Sequence, residues 1–278
     1  MPELPEVQTI VDELNLKVKG ETIIGVWPFN FKEAQNKKIL NIKRRAKYII
    51  FELSEDTIML VHLKMTGHFL LGRWEIRNNV PYPLVEGPIK DDSYNKYVRV
   101  IFYLKSGKEL GFSDLRKFGE IEFYTKEEFN NLKKIKKLGP EPLEKGFTFK
   151  KFKNIVKSTS TNIKMLLMNQ EKVAGIGNLY ASEILFLARV NPLRRTEDLK
   201  EKEVREIYNA IKIILERALK LKGSSVYDYR RVLGIKGSYQ DSTLVYGRKG
   251  KDCPVCAGKV EYVKIGQRGT YFCPKCQK

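Results

Sequence analysis

The residues best suited to chemistry lie at the two ends of the chain. All four cysteines fall within the last 26 residues, as the pairs Cys253/Cys256 and Cys273/Cys276 with sixteen residues between the pairs. This spacing is typical of a zinc ion held by four thiolates, rather than of a disulfide framework. Four thiolates leave no open coordination position, so the sequence predicts one structural Zn2+ and places any catalysis elsewhere.

The other end of the chain begins Met1-Pro2-Glu3. If Met1 is removed, Pro2 supplies a secondary amine, and an α-amino group titrates near pH ~7.7 to 8.0, far below a lysine. The positive end of a following helix lowers that pKa further, so a neutral fraction can attack a sugar carbon and form a cationic imine. Glu3 could move protons as a general acid and base. An ordinary helix start, with proline in the first turn, explains the same residues more simply.

Hydrophobic spacing predicts the elements that must position these groups. Apolar residues three to four apart predict a first helix over residues 5–19, which Gly20 ends. From 21 to about 124 the pattern changes to β-rich segments separated by turns, which predicts an antiparallel β-sandwich. The predicted strands are 22–29, 39–53, 57–63, 97–104 and 109–123, and the predicted long loop is 73–94.

The segment from Gly139 to Leu143 breaks the β pattern and marks a domain boundary. Helical periodicity follows it, and residues 223–243 then lose this periodicity and predict a mobile loop. The predicted helices are 148–157, 161–168, 178–189 and 197–221. The predicted fold is multidomain α+β: an N-terminal β-sandwich with a leading helix (1–138), a linker (139–147), a helical domain (148–247) and a zinc finger (248–278).

The charge of the chain indicates a partner. Its formal net charge is +19, from 52 Lys and Arg against 33 Asp and Glu. This excess is more than solubility requires and is typical of a protein that binds nucleic acid, although a general lysine bias of the genome would also produce it. The sequence has no run of about 18 apolar residues and no basic-then-apolar start, so we expect a cytoplasmic protein without a membrane partner.

Seven motifs are distributed over the whole chain. They are Pro2-Glu3-Leu4-Pro5-Glu6-Val7, Arg44-Arg45-Ala46-Lys47-Tyr48, His62-Leu63-Lys64-Met65-Thr66-Gly67, Asp114-Leu115-Arg116-Lys117-Phe118-Gly119, Leu138-Gly139-Pro140-Glu141-Pro142-Leu143, Gly175-Ile176-Gly177-Asn178-Leu179-Tyr180-Ala181 and the four-cysteine finger. In this order and together, the motifs resemble formamidopyrimidine-DNA glycosylase, a bacterial repair enzyme. Each motif alone would be weak, but their joint occurrence is not explained by chance.

The resemblance implies an N-terminal β-sandwich with the first helix, a helix-two-turn-helix domain and a zinc finger, with DNA in the cleft between domains. It implies a bifunctional DNA glycosylase and AP lyase of base excision repair. Such an enzyme removes oxidised purines, namely 8-oxoguanine and formamidopyrimidines, and then cuts the strand by β,δ-elimination. The expected partner is damaged double-stranded DNA, and we expect a monomer located at the nucleoid.

The resemblance also assigns roles to residues. Pro2 would be the nucleophile that forms a Schiff base, Glu3 the proton donor and acceptor, and Lys47 a group near the sugar and phosphate of the lesion. The residues that would fill the gap left by an extruded base are Met65, Arg116 and Phe118, and Arg116 would also pair with the orphaned cytosine. Without the surrounding motifs, core packing would be the default for Met65 and Phe118.

Other positions match residues that grip the DNA backbone in this family. These are Lys164, Asn178 and Arg268, and we expect Asn178 to cap a helix start that faces an anion. Residues 223–243 correspond to the lesion-sensing segment, whose main-chain amides contact the damaged base. The 73–94 loop is longer than expected, and both histidines, His62 and His68, are interpreted as structural.

Two other functions remain open. An endonuclease VIII type glycosylase would share the proline and the finger but would prefer oxidised pyrimidines, and the segment from Asp114 to Gly119 favours the purine enzyme. A non-catalytic zinc protein that binds DNA would explain the charge and the cysteines, but it leaves the N-terminus without a role.

Overall fold

The computed structural model describes residues 1–226 and 228–278 of the chain. These residues form two compact units: Met1–Lys136 with Leu221–Gln240, and Lys137–Lys220 with Asp241–Lys278. The predicted limits of the individual domains stay a prediction. The structure places residues 221–240 with the N-terminal unit, whereas the sequence grouped them with the helices that precede them.

The first unit begins with a helix and continues with antiparallel strands. Its elements are α1 (Leu4–Val18), β1 (Ile23–Trp27), β2 (Ile39–Arg45), β3 (Tyr48–Leu53), β4 (Thr57–His62), β5 (His68–Gly72), β6 (Trp74–Arg77), β7 (Val80–Pro83), α2 (Pro88–Asp91), β8 (Val98–Leu104), β9 (Glu109–Ser113), β10 (Glu120–Thr125), α3 (Lys126–Asn131) and α4 (Lys133–Lys136). One four-stranded sheet has the order β1-β8-β9-β5, and another has the order β10-β4-β3-β2.

The core of this unit joins both sheets to helix α1. Val7 and Ile10 on the inner face of α1 are fully buried, as are Phe51 of β3 and Phe102 of β8, and all belong to one cluster. Each side chain of this size stabilises the fold by about 1.5–3 kcal/mol when it is buried. The predicted β-sandwich with a leading helix is confirmed.

Turns divide two of the predicted strands. Segment 39–53 forms β2 and β3 on either side of the turn at Ala46 and Lys47, and segment 109–123 forms β9 and β10 on either side of residues 114–119. Both turns carry residues that the sequence singled out for function. The β-rich composition continues through both turns, and the turns were not predicted because composition alone does not show where a strand reverses.

Residues 73–94 do not form the long loop that the sequence predicted. Strands β6 and β7 pair as an antiparallel hairpin, from Trp74 opposite Pro83 to Arg77 opposite Val80, and the short helix α2 follows. The two turn residues, Asn78 and Asn79, have φ values of 51° and 58°. Asparagine tolerates this left-handed region, so an Asn-Asn pair between alternating residues was a hairpin signal that the sequence analysis missed.

The second unit is helical and ends in a small hairpin. Its helices are α5 (Phe149–Lys157), α6 (Ile163–Met168), α7 (Asn178–Leu187) and α8 (Glu201–Lys220), followed by strands β11 (Glu261–Ile265) and β12 (Arg268–Phe272). Each helix agrees with a predicted segment to within a few residues. No helix in the described part of the chain joins the length and the apolar composition needed to span a bilayer.

Residues 223–243, predicted as a mobile loop, make defined contacts in the structure. Tyr229 and Val232 join the core cluster of the first unit, and the Leu71 amide donates a hydrogen bond of 2.8 Å to the Val232 carbonyl. Position 227 within this stretch lies outside the described residues. We call residues 221–240 the C-terminal segment of the first unit.

Candidate active site and nucleic-acid interface

The start of the chain is held by the first turn of α1. Pro2 is buried and Glu3, which precedes the helix, is 6% exposed. The Glu3 amide donates to Oε2 of Glu6 over 2.8 Å, and the Val7 amide donates to the Glu3 carbonyl over 3.0 Å. The first residues therefore have fixed positions instead of forming a frayed terminus.

Glu6 connects this terminus to the C-terminal segment. Its side chain is 3% exposed, and its second oxygen, Oε1, accepts a hydrogen bond of 2.8 Å from the Ser224 amide. A buried carboxylate with backbone donors on both oxygens is held rigidly. One side chain thus fixes both the residue beside Pro2 and the segment predicted to contact a damaged base.

The surroundings of the terminus favour a neutral amine. Burial lowers the pKa of the Met1 amino group below its usual value of 8.0, and the charge of Lys47 acts in the same direction. Glu3 and Glu6 raise this pKa, but the net shift is downward. Removal of Met1 would leave the Pro2 nitrogen in the same buried region, where its neutral form is favoured for the same reason.

Lys47 lies in the tight turn between β2 and β3. It is 5% exposed, and the preceding Ala46 has a φ of 50°. Arg44 supports the turn, since its Nη1 donates to the Ala46 carbonyl over 3.1 Å and its Nε donates to Oε1 of Gln8 over 2.8 Å. The turn therefore fixes Lys47 close enough to the terminus for its charge to act on the amino group.

A second group of predicted residues protrudes from the first unit. Met65 is 38% exposed and Phe118 is 54% exposed, which is unusual for large apolar side chains. The guanidinium of Arg116 lies over the Phe118 ring, 5.0 Å from its centroid. Leu115, 40% exposed, extends the same turn. Core packing, the alternative for Met65 and Phe118, does not describe these positions.

Asp114 and Thr66 hold the turns that carry these side chains. Asp114 is 1% exposed and accepts hydrogen bonds from the Thr66 hydroxyl, the Arg116 amide at 3.2 Å and the Gly119 amide at 2.7 Å. The Arg116 amide also donates to Oγ1 of Thr66 over 3.0 Å. One buried carboxylate therefore joins the turn after Met65 to the turn before Phe118.

Both histidines are hydrogen-bonded to neighbouring residues, and burial lowers the pKa of each. Burial, followed by the charge of Lys64, lowers the pKa of His62 to about 4. Its Nδ1 accepts a hydrogen bond from the Lys64 amide over 3.0 Å, which requires an unprotonated nitrogen. Burial also lowers the pKa of His68, whose ring nitrogens lie 3.1 Å from the Thr66 carbonyl and from Oδ1 of Asn95.

In the second unit, Lys164 and Asn178 lie together, but Lys164 does not reach the surface. Its side chain is fully buried, and Nζ donates to Oδ1 of Asn178 over 2.7 Å and to Oγ1 of Thr270 over 2.6 Å. Asn178 Nδ2 donates to the Gly269 carbonyl over 2.9 Å. A direct grip of Lys164 on a phosphate stays a prediction; in the structure this lysine joins α6, α7 and β12.

The start of α7 differs from the expectation in one respect. Gly177 is the capping residue and Asn178 is the first residue of the helix, because the extended backbone at Gly177 precedes the first turn. The Asn178 side chain is thus free to point to the β12 backbone instead of capping the helix. Arg268, exposed, is the first residue of β12, directly after the hairpin turn.

The four predicted metal ligands come together in the second unit. The sulfur atoms of Cys253, Cys256, Cys273 and Cys276 lie within 4.8 Å of one another, with two Sγ–Sγ distances of 3.7 and 3.6 Å. Tetrahedral zinc with Zn–S bonds of about 2.3 Å requires sulfur atoms about 3.8 Å apart, so the donor set fits one zinc ion. These four thiolates would hold the ion and stabilise the small hairpin beside it.

Three buried acids, Glu6, Asp114 and Glu183, hold backbone amides in place, and the sequence motifs gave them no such role. Glu183 is fully buried and accepts hydrogen bonds from the amides of Leu244, Val245 and Tyr246, each at 2.8 or 2.9 Å. Glu183 stands among apolar residues on the predicted helix 178–189, and this was a signal, since a charge that becomes buried requires partners. For Glu6, no partner as distant as Ser224 could be foreseen from spacing.

Comparison with known proteins agrees with this arrangement. Residues 1–121 match the family model of the formamidopyrimidine-DNA glycosylase N-terminal domain, residues 138–230 match that of the formamidopyrimidine-DNA glycosylase H2TH domain, and residues 250–278 match that of the zinc finger found in FPG and IleRS. The chain is 38% identical to a formamidopyrimidine-DNA glycosylase of Pelotomaculum thermopropionicum, over 100% of this chain and 99% of the relative.

Solved structures show the same similarity. A complex between a Lactococcus lactis Fpg mutant and a Fapy-dG containing DNA has a TM-score of 0.86 and 32% identity, covering 100% of both chains. A complex of Lactococcus lactis Fpg with an abasic site containing DNA has a TM-score of 0.85 and 32% identity, covering 99% of both chains. With its fold, its buried N-terminus and its four-cysteine cluster, the chain belongs to the formamidopyrimidine-DNA glycosylase family.

Proposed function

We propose that this protein is a bifunctional DNA glycosylase and AP lyase of base excision repair, which removes oxidised purines from duplex DNA. Membership of the family supports this function, as do structural relatives that bind Fapy-dG DNA and DNA with an abasic site. The proposed substrates are 8-oxoguanine and formamidopyrimidines, and the proposed place of action is the nucleoid in the cytoplasm, as a monomer.

The observation that carries this proposal is the buried, hydrogen-bonded start of the chain. Pro2 is buried, the Glu3 amide donates a hydrogen bond to Glu6, and burial lowers the pKa of the Met1 amino group that precedes Pro2. A protein that only bound DNA would gain nothing from a desolvated amine, whereas a nucleophile must be neutral at the pH at which it works.

The chemistry follows from the secondary amine. The Pro2 nitrogen lone pair attacks C1′ of the damaged nucleotide, the bond to the base breaks, and the base leaves with a proton supplied by Glu3. The Pro2 nitrogen then loses its proton, the C1′–O4′ bond breaks and O4′ takes up a proton, so that nitrogen and C1′ form an iminium cation. This cation acidifies the C2′ protons, so a base can remove one and expel the 3′ phosphate by β-elimination. A δ-elimination expels the 5′ phosphate, and hydrolysis of the imine then restores the amine.

The protruding residues support a role in extruding the damaged base. A base inside the duplex cannot be attacked at its sugar, so it must rotate out of the stack and leave a gap. We assign the filling of this gap to Met65, Arg116 and Phe118, which are exposed on turns held by Asp114. The guanidinium of Arg116 offers donors to the orphaned cytosine.

The second unit supports a role in holding the DNA backbone. Arg268 is exposed at the β12 hairpin, where its guanidinium can form two hydrogen bonds with a phosphate. Asn178 lies at a helix start, and Lys164 fixes its side chain. The four cysteines would hold one zinc ion, which would stabilise this hairpin and, with four thiolate ligands, would have no open position for a substrate.

Borohydride trapping tests the proposal in one experiment. Protein with Met1 removed, incubated with a duplex containing 8-oxoguanine opposite cytosine and with borohydride, is expected to form a covalent adduct with the cut strand. Protein with a residue added before Pro2 is expected to form none, and a C-terminal tag serves as the matched control. Processed protein that binds the duplex but forms no adduct would support the non-catalytic DNA-binding protein instead.

The substrate class is tested by comparing two lesions. The rate of excision of 8-oxoguanine opposite cytosine is compared with that of thymine glycol in the same sequence. We expect the purine lesion to be preferred, because Arg116 and Phe118 match the purine-specific family. A strong preference for thymine glycol would assign the protein to the endonuclease VIII type.

A further inference from the structure

Residues 73–97 connect β5 to β8 and include the 73–94 segment that is longer than expected; we call this connection the insertion. The insertion packs against the C-terminal segment through an ion pair between Asp92 and Arg230. The Arg230 side chain is 2% exposed, and its Nε and Nη2 donate to Oδ2 and Oδ1 of Asp92 over 2.6 and 3.2 Å. A two-bond contact between a guanidinium and a carboxylate fixes direction as well as distance.

The Arg230 guanidinium also contacts two tyrosines, Tyr229 and Tyr94. Nη1 donates to the Tyr229 carbonyl over 2.8 Å, and the guanidinium lies 4.7 Å from the centroid of the Tyr94 ring. Burial raises the pKa of Asp92, but the hydrogen bonds from Arg230 and from the Tyr94 amide outweigh it, and the net shift is downward. Asp92 is therefore charged at neutral pH, and Arg230 has one defined orientation.

A second contact between the insertion and the C-terminal segment joins Asn95 to Gly234. Asn95 is 1% exposed, and its Nδ2 donates to the Gly234 carbonyl over 3.2 Å and to the Pro88 carbonyl over 2.7 Å. Gly234 has a φ of +76°, and a Cβ at this position would lie 2.6 Å from Asn95 Nδ2. The insertion and the turn at Gly234 thus fit closely enough to exclude a side chain.

The C-terminal segment also contacts α1 and β5. Arg231 Nε donates to Oε1 of Glu13 over 2.6 Å, and the Val232 amide donates to Oε2 over 3.1 Å. At the other end of the segment, Ser224 is held by Glu6. The insertion is therefore one of the supports that fix the segment between residues 229 and 234.

We propose that Asp92 and Asn95 are positioning residues, which hold the C-terminal segment in the conformation that contacts an extruded damaged base. This inference rests on the proposed function. A segment without this support would occupy the competent conformation for only a fraction of the time, and the activity of the protein on a damaged base would fall to that fraction of the wild-type value. An abasic site presents no base to the segment, so cleavage at such a site does not depend on the two residues.

The test compares two substrates with two matched variants. Asp92→Asn removes the negative charge of Asp92 from the ion pair with almost no change in the size of the side chain. Asp91→Asn makes the same change at the neighbouring exposed residue on α2. Single-turnover rates are measured on 8-oxoguanine opposite cytosine and on an abasic site in the same duplex. We expect Asp92→Asn to lower the rate on 8-oxoguanine about tenfold, as for a segment competent one-tenth of the time, and to leave abasic cleavage within about twofold. Asp91→Asn is expected to match the wild type on both substrates.

Amide hydrogen exchange provides a readout that does not depend on activity. In Asp92→Asn, the amides of Arg231 and Gly234, which form hydrogen bonds within the turn, are expected to exchange faster than in the wild type and in Asp91→Asn. Arg230→Lys, which keeps the charge but loses the two-bond contact, is expected to give the same pattern more weakly.

Each outcome separates this inference from the function on which it rests. If Asp92→Asn loses both activities in parallel, or retains both, and its turn amides exchange as in the wild type, the positioning role is wrong while the proposed function stands. If the wild type itself does not excise 8-oxoguanine but cleaves the abasic duplex, the proposed purine specificity is wrong, and the inference is overturned with it.

Discussion

At the scale of single residues, the environment of the amino terminus decides the pH at which the protein can react. Lys47 lowers the pKa of the amino group, so Lys47→Met is expected to raise it and to reduce the neutral fraction at a given pH. The acid limb of the pH–rate profile for excision should therefore move to higher pH. Lys43→Met, on the exposed face of β2, is the control, and an unshifted acid limb in Lys47→Met would contradict the assignment.

His62 links stability to pH. Its pKa in the folded protein is about 4, below the value of about 6.5 in an unfolded chain, so the unfolded state binds more protons between these pH values. The contribution of His62 to the free energy of unfolding is fully present above about pH 6.5 and is lost as the pH falls toward 4. At about pH 5 this loss amounts to about 2 kcal/mol.

The variant His62→Gln cannot take up this proton. Its urea midpoint is expected to change less than that of the wild type between about pH 7.5 and pH 5. His68, the other histidine, is present in both proteins and cancels from the comparison. Equal pH dependence in the two proteins would show that His62 keeps an ordinary pKa.

At the scale of elements, the turns that carry the exposed residues depend on one carboxylate. Asp114→Asn replaces one acceptor oxygen with an NH2 group, which cannot accept the hydrogen bond of a backbone amide. The variant is expected to lose about 1–3 kcal/mol of stability because this buried amide is left unpaired. Urea unfolding measures this loss, and Thr66→Ser, which keeps the hydroxyl that bonds Asp114, is the mild control. If Asp114→Asn and Thr66→Ser are both as stable as the wild type, the turns do not need the hydrogen bonds of Asp114.

The fold of the hairpin β11–β12 depends on the four-cysteine site beside it. Removal of zinc with a chelator, or the variant Cys253→Ala, is expected to unfold the hairpin and to abolish DNA binding, because so small an element has too little core to fold alone. Metal analysis should find one zinc ion per chain, and binding is measured by titration of labelled duplex. DNA binding that survives complete metal removal would assign the hairpin another role.

The elements were predictable where a local pattern specifies them. Helix α8 follows from apolar residues at helical spacing, and the four cysteines follow from their own spacing. The hairpin β6–β7 was missed because two asparagines with positive φ replace the usual glycine in its turn. The hydrogen bond from Ser224 to Glu6 and the ion pair from Arg230 to Asp92 join residues far apart in sequence, and no local pattern encodes such contacts.

At the scale of the whole molecule, the net charge of +19 predicts how DNA affinity depends on salt. Each phosphate neutralised by a lysine or arginine releases counterions, so the affinity is expected to fall steeply and linearly on a double-logarithmic plot. Arg268→Ala should reduce the slope by about 1, as expected for the loss of one phosphate contact. Arg77→Ala, at an exposed position on β6, is the control, and a flat salt response of the wild type would contradict phosphate binding as the main term.

The carboxylate of Glu6, with one oxygen on the Glu3 amide and the other on the Ser224 amide, also has a pharmacological consequence. A small molecule that displaced Ser224 would remove a backbone contact of Glu6 and loosen Glu3, the residue that follows Pro2. Such a compound would inhibit without modifying the amine and without resembling DNA.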